Sequence, residues 1–154
     1  MNDIDLRPLL QAILPSLQAM NEEKRLKAAH LGNALSLLHS SLGEDSWVGI
    51  YAFDGDALIL GHFQGSMACE IIAVGKGVVG EAFAKNETIL VEDVSTWPNY
   101  ICCDAKAKSE ICVPLRGKDG TAFAILDIDL PYVHDFAKEK DLFEQVAEVL
   151  CRFF

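Results

Sequence analysis

The middle of the chain holds two apolar runs joined by a short polar turn. The first run, Trp47–Phe53, is followed by Asp54, Gly55 and Asp56 and then by a second run over residues 57–63. Asp-Gly between two such runs is a strong signal for a β-hairpin. Apolar side chains occupy both faces of the first run, because successive residues of a strand point to opposite sides. The hairpin therefore predicts an antiparallel sheet that is covered on both faces.

Amphipathic helices are predicted at both ends of the chain. Apolar residues recur at steps of three and four over residues 6–20, where Pro15 is expected to kink the helix. A second helix is predicted to begin near Glu22 and Glu23 and to end before Gly43. The last helix carries an apolar stripe over residues 142–150.

The remaining segments predict further strands around one short helix. The strands cover residues 69–74, 88–92, 110–116 and 121–129, and the short helix covers residues 78–85. An irregular stretch over residues 93–108 precedes the last two strands. We interpret residues 1–154 as a single α+β domain that includes the N-terminal helical segment of about residues 1–20. We expect a central antiparallel β-sheet with the N- and C-terminal helices packed on one face.

The charge balance argues against polyanionic partners. The chain has 13 basic and 23 acidic residues and a formal net charge of −10, whereas nucleic-acid binding depends on Lys and Arg displacing counterions. No apolar stretch reaches the roughly 18 residues that a membrane span needs. The start of the chain, residues 1–5, lacks the basic and apolar parts of a signal peptide. We expect a cytoplasmic protein with no nucleic-acid or membrane partner.

The cysteines stand at positions 69, 102, 103, 112 and 151. An odd count without a signal sequence does not fit a structural disulfide framework. Zinc sites normally use Cys-x2-Cys pairs or His/Cys sets at ligand spacing, and neither occurs, so we expect no metal and no cofactor. Two explanations for the cysteines remain: redox chemistry, or inert thiols in the core. For Cys112, in a strand pattern, and Cys151, in a helix pattern, the inert core thiol is favoured.

Two other cysteines are open to both interpretations. Cys103 lies with Cys102 and Asp104 in the predicted polar loop, where a thiol is more accessible than in a strand. Cys69 stands at the start of a predicted strand. The residues alone leave core packing and reactivity about equally favoured for Cys69 and Cys103.

Two aspartates lie near the end of the last predicted strand. Asp127 and Asp129 are two residues apart, so both carboxylates project from one face of the sheet. One alternative is an exposed strand end before the turn at Pro131. The other is a pocket for a cationic group, because buried carboxylates need a partner. Glu110, just after the cysteine loop, is a candidate to join them.

Residues 75–80 match the Gly-x-Gly-x-x-Gly pattern of dinucleotide-binding sites. The helix predicted after them is too short for the crossover of a parallel sheet. No acidic residue ends a following strand at the usual distance. We therefore favour a tight turn in which glycine permits close approach of two backbone segments.

A set of short motifs runs in order along most of the chain. They are Asn33-Ala34-Leu35, residues 46–51, residues 61–65, Ala68-Cys69, residues 75–80, Glu92-Asp93-Val94, Cys103-Asp104-Ala105, Ser109-Glu110-Ile111 and residues 126–129. Together they resemble the GAF-domain family of free methionine-(R)-sulfoxide reductases, from about residue 20 to the C-terminus. No single motif is specific, but the ordered set is.

The resemblance implies a GAF fold, a homodimer, and thioredoxin as the reductant of a thiol oxidoreductase. It implies that Cys103 is the nucleophile and that Cys69 resolves its sulfenic acid into a redox-active disulfide. The substrate-binding residues that it implies are Trp47, Tyr51, Glu110, Asp127 and Asp129. One of these carboxyl groups is expected to donate a proton to the sulfoxide oxygen. Because carboxylates raise the pKa of a thiol, a compensating cation is also expected, and Lys106 and Lys108 are near in sequence.

The chain departs from the family pattern at Val79, where the family often has a third cysteine. Two thiols suffice for a disulfide, so the mechanism stands, and no role is assigned to Cys102. The main alternative is a non-catalytic GAF module that senses a small molecule. A sensor normally serves an effector domain, and the sequence ends at Phe154 without one, which favours the enzyme. A structural protein with incidental cysteines is the third alternative.

Overall fold

The computed structural model describes residues 4–154. Residues 1–3 lie outside the described residues. They belong to the predicted N-terminal helical segment and to the stretch of residues 1–5 that is predicted not to be a signal peptide. The helices are α1 (Arg7–Gln18), α2 (Lys27–Leu42), α3 (Gly77–Lys85) and α4 (Lys140–Leu150), with 3-10 turns at Lys24–Leu26, Val94–Thr96, Phe136–Lys138 and Cys151–Phe153. None of these helices has both the length and the apolar character needed to cross a bilayer.

The strands of residues 4–154 form one six-stranded sheet in the order β3-β2-β1-β6-β5-β4. Every adjacent pair is antiparallel. The strands are β1 (Trp47–Phe53), β2 (Ala57–Gln64), β3 (Ile71–Ala73), β4 (Ile89–Val91), β5 (Ser109–Arg116) and β6 (Ala122–Leu130). The predicted hairpin is β1–β2, and the predicted central antiparallel sheet is confirmed.

Separate apolar cores lie on the two faces of the sheet. On one face, β1 side chains such as Val48 and Ile50 join a core with residues of α1, α2 and α4. On the other face, Trp47 and Tyr51 join a smaller core that includes residues of α3. Both faces are covered, and the helices of the two chain ends share one face, as predicted.

The N-terminal helices differ in detail from their predictions. α1 ends at Gln18, two residues before the end of the predicted apolar stripe, and contains Pro15. The second helical segment starts with the 3-10 turn Lys24–Leu26 and not at Glu23, whose backbone is extended. The side chain of Asn21 accepts a hydrogen bond from the Glu23 N–H at 3.0 Å, and such local bonds compete with helix formation.

The glycines of residues 75–80 lie in a tight turn and in the first turn of α3, which follows it directly. The Gly75 N–H donates to the Gly80 carbonyl oxygen at 2.9 Å. A Cβ atom on Gly80 would lie 2.5 Å from the carbonyl oxygen of Ala73, which is closer than packed atoms approach. Close backbone approach therefore explains the pattern, as expected, and the turn brings the start of α3 over the second face of the sheet.

Candidate active site

A disulfide joins two loops that belong to opposite halves of the sheet. Cys69 precedes β3, and Cys103 lies in the loop between β4 and β5. Their sulfur atoms are 2.07 Å apart, their Cα atoms are 5.3 Å apart, and 34 positions separate them in sequence. The other cysteines, Cys102, Cys112 and Cys151, are free thiols. The pair that the family resemblance implied is the pair that is joined.

Two adjoining cavities lie beside Cys103. One is lined by Cys103, Tyr51 and all three predicted carboxylates, together with the first residues of α3. The other adds Trp47 and Ala68 to a lining that again includes Cys103 and Tyr51. The predicted site residues therefore line these cavities, apart from Cys69, which is bonded to Cys103.

Strand register brings the carboxyl groups together. Asp127 and Asp129 lie on one face of β6, because residues two apart in a strand point the same way. Across the β5–β6 pair, Glu110 is opposite Asp129, and Cys112 is opposite Asp127. All four residues are buried, and the three carboxyl groups come from residues that are only 5% to 8% exposed.

Burial changes the acidity of these carboxyl groups. It raises the pKa of Asp127 to about 6, while hydrogen bonds from Glu110 and Cys112 oppose the rise. Burial, and then the negative charges of Asp127 and Asp129, hold the pKa of Glu110 well above its ordinary value. Burial and the charge of Asp127 also raise the pKa of Asp129. Asp127 is therefore ionised at neutral pH, whereas the raised pKa values of Glu110 and Asp129 favour the protonated forms of these two carboxyl groups.

One oxygen of this cluster has no hydrogen-bond partner among residues 4–154. It is Oδ1 of Asp129, which is fully shielded from solvent. Buried polar atoms without partners are rare and costly in folded proteins. Since Asp129 lines both cavities, the unpaired oxygen is an available acceptor for a bound donor.

Aromatic rings form the neighbouring wall of the site. The ring of Trp47 stacks with those of Tyr51 and Phe63, with centroid distances of 6.1 and 5.5 Å. Glycine makes room for the indole: a Cβ atom on Gly49 would lie 2.3 Å from Cη2 of Trp47, and one on Gly65 would lie 2.7 Å from Cδ1. Contacts with two rings, and the space that two glycines leave, therefore hold the indole in place.

The polar ends of these rings hold the loop that carries Cys69. Trp47 Nε1–H donates to the carbonyl oxygen of Ser66, and the Tyr51 hydroxyl donates to that of Cys69, both at 2.8 Å. Burial, with the charge of Asp127 next, raises the pKa of Tyr51, so the phenol keeps its proton. Two side chains predicted to line the site thus also fasten the loop to the sheet.

Cys112 is the site residue that the sequence interpretation missed. It is buried, as predicted, but its sulfur lies 3.3 Å from Oε1 of Glu110 and 3.5 Å from Oδ1 of Asp127. The available signal was its spacing, because a residue two positions after Glu110 on a strand shares its face. The expected cation is placed differently: Lys106 pairs with Asp45 at the surface, with a Nζ–Oδ1 distance of 2.8 Å.

Comparisons with known proteins agree on one family. A GAF-domain family profile matches residues 29–150. The chain is 36% identical over 157 aligned residues to the free methionine-R-sulfoxide reductase of Saccharomyces cerevisiae. The alignment covers 97% of this chain and 87% of that protein. It is 39% identical over 128 residues to the protein of the same name from Escherichia coli, covering 80% of this chain and 77% of that one.

A solved structure gives the same result. The free methionine-R-sulfoxide reductase from Neisseria meningitidis superposes with a TM-score of 0.86 at 33% sequence identity. The match covers 99% of this chain and 93% of that chain. The likeness thus extends over the sheet, the helices and the disulfide-bearing loops together.

Proposed function

The chain belongs to the GAF-domain family of free methionine-(R)-sulfoxide reductases, and from this premise we propose that it reduces free L-methionine-(R)-sulfoxide to methionine. Membership confirms the predictions of a GAF fold and of an oxidoreductase. The observation that carries the proposed mechanism is the Cys69–Cys103 disulfide beside a cavity lined by buried carboxyl groups.

In the first step, the thiolate of Cys103 attacks the sulfoxide sulfur. The oxygen needs a proton, because an oxyanion is a poor leaving group. Glu110 is our candidate donor, since burial and its acidic neighbours keep its pKa well above the ordinary value. The oxygen passes to Cys103 as a sulfenic acid, and methionine leaves with its sulfur reduced.

In the second step, the thiol of Cys69 attacks the sulfenic acid of Cys103. The sulfur–sulfur bond forms and water departs, which is the reversible stage of cysteine oxidation. The two thiols supply the two electrons that the sulfoxide has gained. The proposed end state is the disulfide-bonded form, in which the Cα atoms of Cys69 and Cys103 are 5.3 Å apart.

The charges around the cavity suit a free amino acid. The Asp127 carboxylate and the unpaired Oδ1 of Asp129 are acceptors for an ammonium group. The first residues of α3, Gly77 and Val78, line the same cavity, and the free N–H groups of a helix N-terminus favour a carboxylate. The stacked rings of Trp47 and Tyr51 offer an apolar surface to the S-methyl group. A methionine within a peptide carries neither of these terminal charges.

We further propose that thioredoxin reduces the disulfide, that the protein is a homodimer, and that it acts in the cytoplasm as a single GAF domain. An exposed apolar surface beside the disulfide supports docking of a redox protein. Met67 is 88% exposed and Ile71 is 68% exposed, on either side of Cys69 in sequence. Cys102, next to Cys103, is also exposed.

The decisive experiment compares Cys103→Ser with Cys102→Ser. We expect Cys103→Ser to abolish turnover of free methionine-(R)-sulfoxide, and Cys102→Ser to retain it. The denatured wild-type protein should show five thiols before one turnover and three after it, since Cys102, Cys112 and Cys151 stay free. The S epimer and N-acetylmethionine sulfoxide should consume none. Saturable binding of the R epimer without loss of thiols would instead indicate a sensor.

A further inference from the structure

Glu110, Cys112 and Asp127 bring three metal-ligating atoms together at the acidic end of the site. Their ligand atoms all lie within 4.8 Å of one another, and all three residues are buried. The Cys112 sulfur is central, at 3.3 Å from Oε1 of Glu110 and 3.5 Å from Oδ1 of Asp127. Without a cation, these contacts are hydrogen bonds between the Cys112 thiol and the neighbouring carboxyl groups.

The distances match those between two ligands of a bound metal ion. With a zinc–sulfur bond near 2.3 Å and a zinc–oxygen bond near 2.0 Å, tetrahedral geometry separates sulfur from oxygen by about 3.5 Å. Both sulfur–oxygen distances around Cys112 are close to this value. Little movement is required of side chains that strands β5 and β6 already hold in register.

A second, independent observation concerns Asp129. Its Oδ1 atom is shielded from solvent without a hydrogen-bond partner in residues 4–154, and the residue is only 8% exposed. Asp129 follows Asp127 on the same face of β6 and lines the cavity with Glu110 and Asp127. A buried oxygen without a partner therefore belongs to a residue that lines the same cavity as two of the three ligand residues.

We propose that Glu110, Cys112 and Asp127, with Asp129 completing the set, bind a thiophilic divalent cation such as Zn²⁺ or Cd²⁺. The thiol of Cys112 loses its proton to solvent as the sulfur–metal bond forms, and the coordinating carboxyl groups give up any proton that they hold, so binding releases protons. Cation binding at these residues involves no catalytic step and is a property separate from reductase activity. Because Cys69 and Cys103 are bonded to each other, it applies to the oxidised protein without them.

The proposed cation site overlaps the position proposed for the substrate ammonium. Both depend on Asp127 and on the unpaired oxygen of Asp129, so cation and amino acid should exclude each other. This overlap rests on the proposed function, whereas the cation site itself does not. A thiol at position 112 would thus make the resting enzyme sensitive to soft metal ions.

The test uses the oxidised full-length protein and Cd²⁺ as the probe. Titration calorimetry and the ultraviolet charge-transfer absorption of a Cd–thiolate bond should both report one saturable equivalent. Cys112→Val, which keeps an apolar side chain of similar size, should lose the absorption and weaken binding at least tenfold. Cys102→Ser should retain both signals. Equal Cd²⁺ affinity in Cys112→Val and wild type, with both folded by circular dichroism, would overturn the proposal.

Two further measurements separate the cation site from the reductase proposal. Asp129→Asn should keep the charge-transfer absorption but bind Cd²⁺ more weakly, because the thiol remains and one anionic ligand is lost. Free methionine should lower the apparent Cd²⁺ affinity of the oxidised protein. If methionine has no effect while the Cys112-dependent signal persists, the cation site stands and the proposed position of the ammonium is wrong.

Discussion

The hydroxyl of Tyr51 donates a hydrogen bond to the carbonyl oxygen of Cys69 at 2.8 Å. Tyr51 lies on β1 at the centre of the sheet, whereas Cys69 lies in the loop before β3. The bond therefore links the floor of the cavity to the backbone of the proposed resolving cysteine. The indole of Trp47 makes a parallel link to Ser66 in the same loop.

Tyr51→Phe is expected to slow formation of the disulfide more than formation of methionine. The ring stays in place, but the Cys69 carbonyl loses its donor and the loop is held less firmly. Stability should fall by about 1 kcal/mol, the usual contribution of one hydrogen bond. Rapid-quench assays that follow methionine and free thiols separately would measure the two steps.

Tyr132→Phe is the matched control, because Tyr132 lies in the segment that follows β6. It should leave the relative rates of the two steps unchanged. Equal slowing of both steps in Tyr51→Phe would show that the hydroxyl serves the chemistry or the overall fold and not the loop.

Gly49→Ala is expected to displace the indole of Trp47. The added Cβ atom would lie 2.3 Å from Cη2 of Trp47 and 2.8 Å from Cβ of Phe63, so the stacked rings must move. Overpacking of this kind costs about 1–3 kcal/mol of stability, and KM for the sulfoxide should rise. In contrast, Gly32→Ala has open space in α2 and should stabilise the protein by about 0.5–1 kcal/mol. Urea unfolding of both variants, with steady-state kinetics, checks the pair.

Asp127→Asn should change how stability depends on pH. The pKa of Asp127 is raised from 3.8 to about 6 in the folded protein, so between these values the folded state binds more protons than the unfolded chain. The wild-type free energy of unfolding should therefore fall as the pH rises through this window. Asparagine cannot titrate. The free energy of unfolding of the variant, relative to that of the wild type, should therefore rise by on the order of 1–3 kcal/mol from pH 4 to pH 6.

Above pH 6 the difference in the free energy of unfolding between Asp127→Asn and wild type should stay constant. Urea unfolding at several pH values measures it. Asp56→Asn, in the exposed β1–β2 turn, is the control for removing a carboxyl group away from the site. A constant difference between Asp127→Asn and wild type across the window would contradict the raised pKa.

Glu110→Gln is expected to lower the rate of methionine formation in a single turnover, because the amide cannot deliver a proton. General acid catalysis typically contributes about 10²–10⁴-fold. Asp129→Asn should act mainly through KM, since its proposed role is to accept from the substrate ammonium. Glu70→Gln, at an exposed position, should leave both parameters unchanged. A normal rate for Glu110→Gln would assign the proton to another group.

The sequence predicts the sheet well because its signals are local. Alternating and continuous apolar runs, a hairpin turn and amphipathic stripes identify β1, β2, α1 and α4 from residues close together in the chain. The start of α2 is missed for a local reason too. The acidic pair at Glu22 and Glu23 suits a helix N-terminus, but the Asn21 side chain binds the backbone there and delays the helix.

The candidate site is less accessible to sequence reasoning because it depends on strand register. Cys112 looks like an inert thiol until β5 is set against β6, which brings Asp127 opposite it. The disulfide pairing also came only from family resemblance, since Cys69 and Cys103 are 34 positions apart and belong to different strand connections. The tethers from Trp47 and Tyr51 to the loop could not be predicted, because their acceptors are main-chain carbonyls.

The Cys69–Cys103 bond closes a covalent ring that contains β3, α3 and β4. One peptide cut inside that ring, for example after Lys85 at the end of α3, leaves the two fragments attached to each other through sulfur. On a denaturing gel such a nicked chain migrates as one band without a thiol reagent and as two bands with it. Limited proteolysis therefore doubles as a readout of the protein's redox state in a crude extract, with no substrate added.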